Sequence, residues 1–367
     1  MRVVEAQREG YSPHSVRLAW ILALAYLLVI VHASLQPYHG WRMPPDEILR
    51  FLVAPWPHYI TFGDIIVNFG AYIPFGFLLS IGWGARHGTW QGVFYAVLCA
   101  TGLSLAMESA QMFLPARIAS NVDLLANGVG ALLGAMSAPL FAPTQILGGK
   151  LHAVRHRLFV DGMAADVSLV IVCLWLITQF HPITQLFGTG SLRVTFDLPV
   201  VFTHTPQFAL SAEAAVVLFN LLGVGLMMSA FMRSAARPML AAGALIAAAL
   251  LIKTVTAAML VKAAALFAWL TPGVTLGLLS GWALLYGAVR LPRTAKLAVA
   301  ALSIALATAV INIAPGNPYQ SVPPQLIAGG ASHFMSFTGI VRALSELWPL
   351  LAAGFLAWAL GARRNPI

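Results

Sequence analysis

Charge is the scarcest property of this sequence. Only 9% of its 367 residues are charged, whereas 59% are apolar, and long apolar runs recur from one end to the other. Such a composition makes lipid the solvent for most of the chain, because a soluble domain needs more polar surface. The sequence therefore predicts an all-α, polytopic integral membrane protein and no large soluble domain.

Several kinds of site are also missing. The chain has two cysteines, Cys99 and Cys173, and both lie in apolar runs without His or Cys neighbours at metal-ligand spacing. This argues against a disulfide framework and against a zinc site of that kind. There is no P-loop, GxSxG, HExxH or CxxC pattern, so an ATP-driven pump or zinc metalloprotease is not expected, and no nucleotide partner or cofactor is assigned.

Basic residues outnumber acidic ones, 21 Lys and Arg against 12 Asp and Glu. They occur in short clusters between apolar runs, which is the pattern that sets membrane topology, so we expect no nucleic-acid partner. The basic N-terminal segment, its apolar run and the VHAS stretch ending at Ser34 loosely resemble a signal peptide. Because about ten spans and no large soluble domain follow, we expect that this segment is not cleaved and forms the first membrane helix.

A membrane-spanning helix needs about 20 apolar residues. The sequence predicts ten such helices, and it places most Lys and Arg in the loops on one side when both termini are cytoplasmic. The protein is therefore expected in the inner (plasma) membrane. The predicted spans are 17–34, 62–82, 90–110, 121–141, 166–181, 208–231, 238–261, 272–289, 296–314 and 346–361.

Three regions follow from this count. Residues 1–145 hold four spans, 146–165 form a basic cytoplasmic linker, and 166–367 hold six spans. Two long outer loops, Gln36–Thr61 and Pro315–Ser345, are expected to fold over the outer face as lids. The second loop contains HFMSFTGIVRALSE, whose apolar spacing predicts a short amphipathic helix on the membrane surface.

Polar residues gather at one level of the second, third and fourth spans. Each of these helices carries a pair at i, i+3 or i, i+4 near its outer end, so each pair lies on one helix face. An arginine lies in the hairpin PARIASN that joins the last two helices. The pairs are Asp64 with Asn68, Glu108 with Gln111, and Asp123 with Asn127, and the arginine is Arg117.

Three interpretations of these residues remain open. In the first they are structural, with Asp123 capping its helix, the amides joining helices and Arg117 pairing with Glu108. In the second they form an outward-facing binding or catalytic pocket, where Arg117 holds a lipid phosphate and a carboxylate acts as base or metal ligand. In the third they are an ion or proton relay of a transporter.

The same stretches resemble a known family. DIIVNFGAYIPFGFLL from Asp64, ESAQMFLPAR from Glu108 and NVDLLANGVGALLG from Asn121 are similar to the VanZ-like family, named for an accessory teicoplanin-resistance protein. The similarity covers about residues 20–140, and this chain resembles a long form with an extra helical half. The resemblance implies an envelope-related membrane protein connected with glycopeptide susceptibility, but no particular reaction.

Together these observations predict an outward-facing site for a membrane lipid or a lipid-linked or cell-wall precursor. Asp64, Glu108 and Asp123 are the hypothetical catalytic carboxylates, and whether the protein is an enzyme is left open. Asn68, Gln111, Arg117 and Asn127 are the expected substrate-binding residues. The alternatives are a proton-coupled transporter or flippase and a structural membrane protein.

The second half gives fewer signals. Its spans contain isolated polar residues that are expected to pair with one another or with the backbone, and His333 and Arg342 in the last outer loop are candidates to extend a phosphate site. The isolated residues are Glu213, Asn220, Lys253 and Asn312.

Overall fold

A computed structural model describes residues 13–35, 40–44, 47–56, 62–141, 146–180, 185–193, 205–234, 236–260, 266–314 and 331–362. Within these residues the chain forms eleven α-helices, two short 3-10 helices and one isolated antiparallel bridge, between Phe159 and Met232. The predicted all-α fold class is confirmed.

The helices are numbered in chain order. They are α1 Pro13–Leu35, α2 Phe62–His87, α3 Thr89–Gln111, α4 Asn121–Ser137, α5 Ile146–Leu158, α6 Met163–Thr178, α7 Pro206–Ser229, α8 Pro238–Leu260, α9 Pro272–Ala288, α10 Arg293–Ile313 and α11 Ala331–Gly361. The 3-10 helices are Arg50–Leu52 and Ala138–Phe141, and the second continues α4.

A helix lies at each of the ten predicted spans. Eight of the helices are long and apolar enough to cross a membrane. The other two, α6 with 16 residues and α9 with 17, are shorter. At 1.5 Å per residue they reach roughly 25 Å, slightly less than the hydrocarbon core of a bilayer. The protein is therefore a multi-pass membrane protein.

The helix starts follow ordinary capping chemistry. Thr205 and Thr271 precede α7 and α9, and each hydroxyl accepts a hydrogen bond from a backbone N–H in the first turn of its helix. Pro206 and Pro272 then occupy the first helical position, where the missing N–H costs nothing. Gly88, at φ +94°, is the single residue between α2 and α3, so these helices run in opposite directions.

Two segments differ from the sequence-based expectation. The predicted linker 146–165 contains a helix, α5, that the sequence analysis did not anticipate. The amphipathic segment HFMSFTGIVRALSE is not a separate surface helix, because its residues continue without a break into the last span as the 31-residue α11. The side chains of residues 331–340, including His333, lie outside the described part of the chain.

The chain divides into two compact units. The first comprises Met1–Arg155 with Met335–Ile340, and the second comprises His156–Phe334 with Val341–Ile367. Each unit has its own apolar core. The boundaries 145 and 165 proposed from sequence remain predictions.

In the first unit, α2 and α4 touch backbone to backbone. A Cβ added at Gly130 would lie 2.0 Å from the Phe69 carbonyl oxygen, and one at Gly76 would lie 2.1 Å from the Ala131 carbonyl oxygen. Gly134 approaches Ile73 equally closely, whereas Gly128 faces Thr101 of α3. Close helix approach through small residues is how membrane helices gain packing contacts in place of a hydrophobic driving force. It fixes the register of the helices that carry the predicted site.

Glycines also bring two helices of the second unit into close contact, which was not predicted from the sequence. Gly273, Gly277 and Gly281 recur every four residues along α9 and face α7. A Cβ at Gly277 would lie 2.5 Å from the Ala214 carbonyl oxygen, and one at Gly281 would lie 3.2 Å from Leu218 Cα. The contact is therefore tight at the start of α9 and looser towards its end.

Candidate functional site

The hairpin of residues 112–120 brings the ends of α3 and α4 together. Its first turns are closed by Leu114 N–H donating to the Gln111 carbonyl, at 2.9 Å, and by Arg117 N–H donating to the Leu114 carbonyl, at 3.0 Å. Leu114 is buried beneath it. Ser120 then caps α4, since its hydroxyl accepts from the N–H groups of Val122 and Asp123. We call this end of the bundle the hairpin end.

Glu108 lies buried at the hairpin end, with 4% of its surface exposed. One carboxylate oxygen accepts a hydrogen bond from the Ser120 backbone N–H at 2.9 Å. A carboxylate beside the N-terminus of a helix is stabilised both by this charge-assisted bond and by the helix dipole of α4. Glu108 therefore joins α3 to the start of α4 directly.

Gln111 and Arg117 bind the end of α1. The Gln111 amide donates to the Ser34 carbonyl at 3.0 Å, and Arg117 Nη2 donates to the Ala33 carbonyl at 2.9 Å. The last carbonyls of a helix have no partner within it, so these side chains satisfy groups that the bilayer would leave unpaired. Two residues predicted to bind substrate thus also hold α1 in place.

Three charges act on one another here. The Glu108 carboxylate is close enough to Arg117 for attraction and to Asp123 for repulsion. Arg117 is half-buried, and this burial lowers the pKa of its guanidinium, while the neighbouring Glu108 carboxylate raises it. We call Glu108, Gln111, Arg117 and Asp123 the hairpin-end site. Its guanidinium is partly removed from water, which strengthens its interaction with any anion that reaches it.

A second polar group lies deeper in the bundle. The Asn127 amide donates to the Ser104 hydroxyl at 2.8 Å, and Ser104 also interacts with the Tyr72 hydroxyl. All three side chains are buried. We call Tyr72, Ser104 and Asn127 the deep polar cluster. Its one unsatisfied atom among the described residues is Asn127 Oδ1, which is fully enclosed and accepts no hydrogen bond.

The remaining predicted site residues lie on α2. Asn68 is half-buried one turn from Tyr72, so it stands between the deep polar cluster and the hairpin end. Asp64 lies one turn further towards the helix start, within α2, but its side chain is outside the described residues. Among the side chains described, no three His, Cys, Asp or Glu residues converge as metal ligands.

The described parts of the first long loop, 40–44 and 47–56, lie against the hairpin. Arg42 N–H donates to the Phe113 carbonyl at 2.9 Å, and the Asn121 amide donates to the Ala54 carbonyl at 2.8 Å. Phe51 is buried, but most of the loop's large apolar side chains are turned outwards. The exposed ones are Trp41, Met43, Ile48, Leu49, Leu52, Val53 and Trp56, and Ile118 of the hairpin joins them.

Sequence reasoning missed several partners. Ser104 and Tyr72 were detectable, because they lie four residues from Glu108 and from Asn68 and therefore share their helix faces. Ser120 was also detectable as a polar residue directly before a helix start. The α1 carbonyls carried no signal, since every residue has a carbonyl and only the tertiary arrangement selects Ala33 and Ser34.

In the second unit, polar side chains surround a non-helical segment, residues 185–193. Leu186 and Phe187 of this segment are fully buried. The Asn312 amide clamps it, donating to the Gly190 carbonyl at 2.6 Å and accepting from Leu192 N–H at 2.8 Å. Gln179 accepts from Phe187 N–H at 3.2 Å. Non-helical backbone at membrane depth is tolerated only where protein satisfies it, and these amides do so.

The other predicted residues of the second unit are distributed around this core. Asn220 accepts a hydrogen bond from the Thr189 hydroxyl at 3.3 Å. Glu213 and Lys253 are both buried, and Arg342 forms an ion pair with Glu346 at 2.8 Å. An anion-binding role for Arg342 remains a prediction, as does that of His333.

A protein-family comparison identifies the part of the chain that contains α1 to α4. The VanZ/LLP1 family model matches residues 18–142. Residues 18–142 form a VanZ-like domain. This domain contains α1 to α4, the hairpin-end site and the deep polar cluster, and it confirms the resemblance drawn from the sequence motifs. No curated protein and no solved structure matches the chain.

Proposed function

We propose that the VanZ-like domain acts at the outer face of the inner membrane, where the hairpin-end site binds or acts on a lipid-linked or cell-wall envelope precursor. Arg117 would hold a phosphate, Glu108 and Asp123, with Asp64, would supply base or metal-ligand groups, and Asn68, Gln111 and Asn127 would orient them. Through this precursor the protein would influence susceptibility to glycopeptides such as teicoplanin.

The observation that carries this proposal is the half-buried Arg117 guanidinium near the buried Glu108 carboxylate. Arg117 Nη2 donates to the Ala33 carbonyl, and the guanidinium carries its five N–H donors in a planar fork. Such a fork suits bidentate phosphate recognition, and its partial desolvation makes each charge-assisted bond stronger than at a wet surface.

The surroundings of the site favour a ligand that arrives in lipid. Trp41 and Trp56 are about half-exposed or more, and Val53 and Ile118 are more than 80% exposed. These side chains lie next to the hairpin at the ends of membrane spans, where tryptophan commonly anchors at the bilayer interface. A lipid headgroup held beside these exposed apolar side chains would lie at the hairpin end, which carries Arg117, and would not have to cross bulk water.

Binding and catalysis make different demands on the carboxylates. Binding a phosphate needs Arg117 alone, whereas a reaction adds Glu108 or Asp123 as a general base within hydrogen-bonding reach of the substrate. Two adjacent carboxylates with different burial are a common arrangement for dividing acid and base roles. Glu108 is the more buried of the two.

Native mass spectrometry of the purified protein tests this proposal. We expect a phosphate-bearing lipid to co-purify with the unaltered protein and to be lost in Arg117→Ala. Arg86→Ala is the matched control, because Arg86 is exposed in the last turn of α2, at the opposite end of the same helix bundle. Absence of any retained phosphate lipid, or equal loss in both variants, would contradict it.

A second candidate function is proton-coupled transport of an envelope lipid. It is favoured by the burial of Glu108 in a membrane span, since a carboxylate there usually marks an ion or proton path. Transport would stop when the proton gradient is collapsed and in Glu108→Gln. A binding or enzymatic site keeps its activity without the gradient.

The structural alternative makes a third prediction. It is favoured by the backbone contacts that Glu108, Gln111 and Arg117 make. If these contacts are their whole purpose, Glu108→Gln and Asp123→Asn will lower the yield of folded protein and leave the activity of each folded molecule unchanged.

A further inference from the structure

The helix α5 has one apolar side. Among its described side chains, the larger apolar residues Leu151, Val154 and Leu158 recur at i, i+3 and i+7, so they fall on one side of the helix. Leu158 packs partly against the core of the second unit. Leu151 is 52% exposed and Val154 is 55% exposed, so the described protein leaves the middle of this side uncovered.

Basic residues flank the apolar side on both edges. With about 100° between successive residues, Lys150 and Arg157 lie within roughly 60° of Val154, and Arg155 lies roughly 40° from Leu151 on the other edge. The helix sequence ILGGKLHAVRHRL contains no acidic residue. Long basic side chains on the edges of an apolar stripe reach phosphates while the stripe enters the acyl layer.

The C-terminal end of α5 is held firmly. Arg233 Nε donates to the His156 carbonyl at 2.7 Å and to the Phe159 carbonyl at 2.9 Å. The same guanidinium pairs with Asp161 at 2.8 Å, and His156 also contacts Asp161. Asp161, the acidic residue that follows α5, is therefore engaged with Arg233 and His156.

Short connections keep α5 close to the bilayer. Four residues separate it from the end of the α4 span at Phe141, and four separate it from the start of α6 at Met163. A fully extended segment of this length reaches about 14 Å, which is less than the thickness of a headgroup layer plus a helix diameter. The exposed apolar side thus has the membrane surface as its nearest large apolar environment.

We propose that α5 is an amphipathic helix that lies in the headgroup layer of the bilayer and recognises anionic phospholipid. Leu151 and Val154 enter the layer, and the exposed Lys150 and Arg157 bind phosphates beside them. Lipid is favoured over an acidic protein partner because the apolar stripe is narrow, flanked by cations and tethered at both ends to membrane helices. This site is independent of the hairpin-end site.

Depth-dependent fluorescence quenching tests the proposal on the full chain in lipid nanodiscs. After Cys99→Ala and Cys173→Ala, Leu151→Cys introduces a single cysteine that carries an environment-sensitive fluorophore. Ala153→Cys is the matched control, because this exposed position lies roughly 130° from the apolar stripe on the same helix. We expect a lipid-borne nitroxide to quench the label at 151 severalfold more than the label at 153, and aqueous iodide to do the reverse.

The anionic preference has its own test. In discs of phosphatidylcholine with added phosphatidylglycerol, Lys150→Gln with Arg157→Gln should reduce the ratio of inserted to solvent-exposed helix about fivefold for each charge removed. In pure phosphatidylcholine the same variant should behave as the unaltered protein. If position 151 is quenched mainly by iodide in both kinds of disc, lipid insertion is wrong and an acidic protein becomes the better occupant. Equal insertion in both lipids would overturn the anionic preference.

Discussion

Buried polar side chains serve different purposes in the two units. In the first unit Glu108, Gln111 and Arg117 bind backbone groups at helix ends, and they lie together at one end of the bundle. In the second unit Gln179 and Asn312 hold a buried segment that is not helical. Both units otherwise rely on a glycine-mediated helix pair, so the polar groups are what distinguish them.

This difference suggests where function lies. The Gln179 and Asn312 amides bind backbone groups of residues 185–193 and of their own helices, which is a structural task. At the hairpin end two of the polar side chains, Arg117 and Asp123, carry charge and act electrostatically on the buried Glu108. A charged group near a membrane span is costly to keep and is by default a functional candidate. Substitutions in both units can test or refine this contrast.

The largest effect is expected in the second unit. Asn312→Leu removes hydrogen bonds to the Gly190 carbonyl and the Leu192 N–H and leaves these partly buried groups without this partner. We expect the free energy of unfolding to fall by roughly 3 kcal/mol, since each orphaned group costs about 1–3 kcal/mol. Chemical denaturation in detergent measures it. Asn121→Ala, which removes one hydrogen bond to the Ala54 carbonyl, is the comparison variant. A smaller loss of unfolding free energy in Asn312→Leu than in Asn121→Ala would show that the clamp matters little.

The next effect compares helix packing. Gly130→Ala places a methyl group 2.0 Å from the Phe69 carbonyl, so α2 and α4 must separate, and we expect a loss of about 2 kcal/mol. Gly281→Ala in the second unit should cost less, because its nearest atom is 3.2 Å away. Gly102→Ala meets no neighbour within 4 Å and should be neutral or slightly stabilising. Thermal unfolding of the three variants should follow this order, and a reversed order would contradict backbone contact between α2 and α4.

A smaller effect is expected at α1. Gln111→Ala removes the bond to the Ser34 carbonyl and should cost about 1 kcal/mol. We expect hydrogen exchange to become faster at the C-terminal end of α1 and to stay unchanged in α7. Unchanged exchange in α1 would mean that Gln111 does not hold this helix.

The smallest expected effect concerns the deep polar cluster, where apolar substitutions should leave the free energy of unfolding unchanged or raise it. Ser104→Ala with Asn127→Leu, and with Tyr72→Phe added so that the tyrosine hydroxyl is not left unpaired, removes the buried polar pair together with the unsatisfied Asn127 oxygen. Replacing both partners by apolar groups is expected to be neutral or to stabilise by up to about 1 kcal/mol. Marked destabilisation in a thermal melt would show that the deep polar cluster is structural in the same sense as Asn312.

Much of this arrangement was predictable from local spacing. Apolar runs located the helices of the ten predicted spans, the alternating direction of these spans placed Glu108 and Asp123 at the same end of neighbouring helices, and the i, i+4 rule related residues on one helix face. The rule also implied that Asn127 lies one turn below Asp123. These are properties of single helices, which a sequence reports directly.

The parts that were missed depend on tertiary structure or on weak helix signals. The contacts of Gln111 and Arg117 with α1 carbonyls require knowing which helix end lies beside the hairpin. The glycines at 148 and 149 lower the helix propensity of α5, and its basic residues lower its hydropathy, so the sequence indicated a linker there. In α11, Pro349 lies inside the helix, and no local signal indicated that the preceding segment would be continuous with it.

The central claim is that Arg117 recognises an anionic headgroup in addition to holding α1. Arg117→Gln keeps a donor for the Ala33 carbonyl but loses the charge, whereas Arg117→Lys keeps both charge and donor. Binding of a polyprenyl phosphate to the nanodisc-embedded protein, measured by titration, separates the two roles. We predict that Arg117→Lys binds within about tenfold of the unaltered protein and that Arg117→Gln, equally well folded, loses a further tenfold or more. Equal affinity of the two variants, or no binding by the unaltered protein, would contradict the claim.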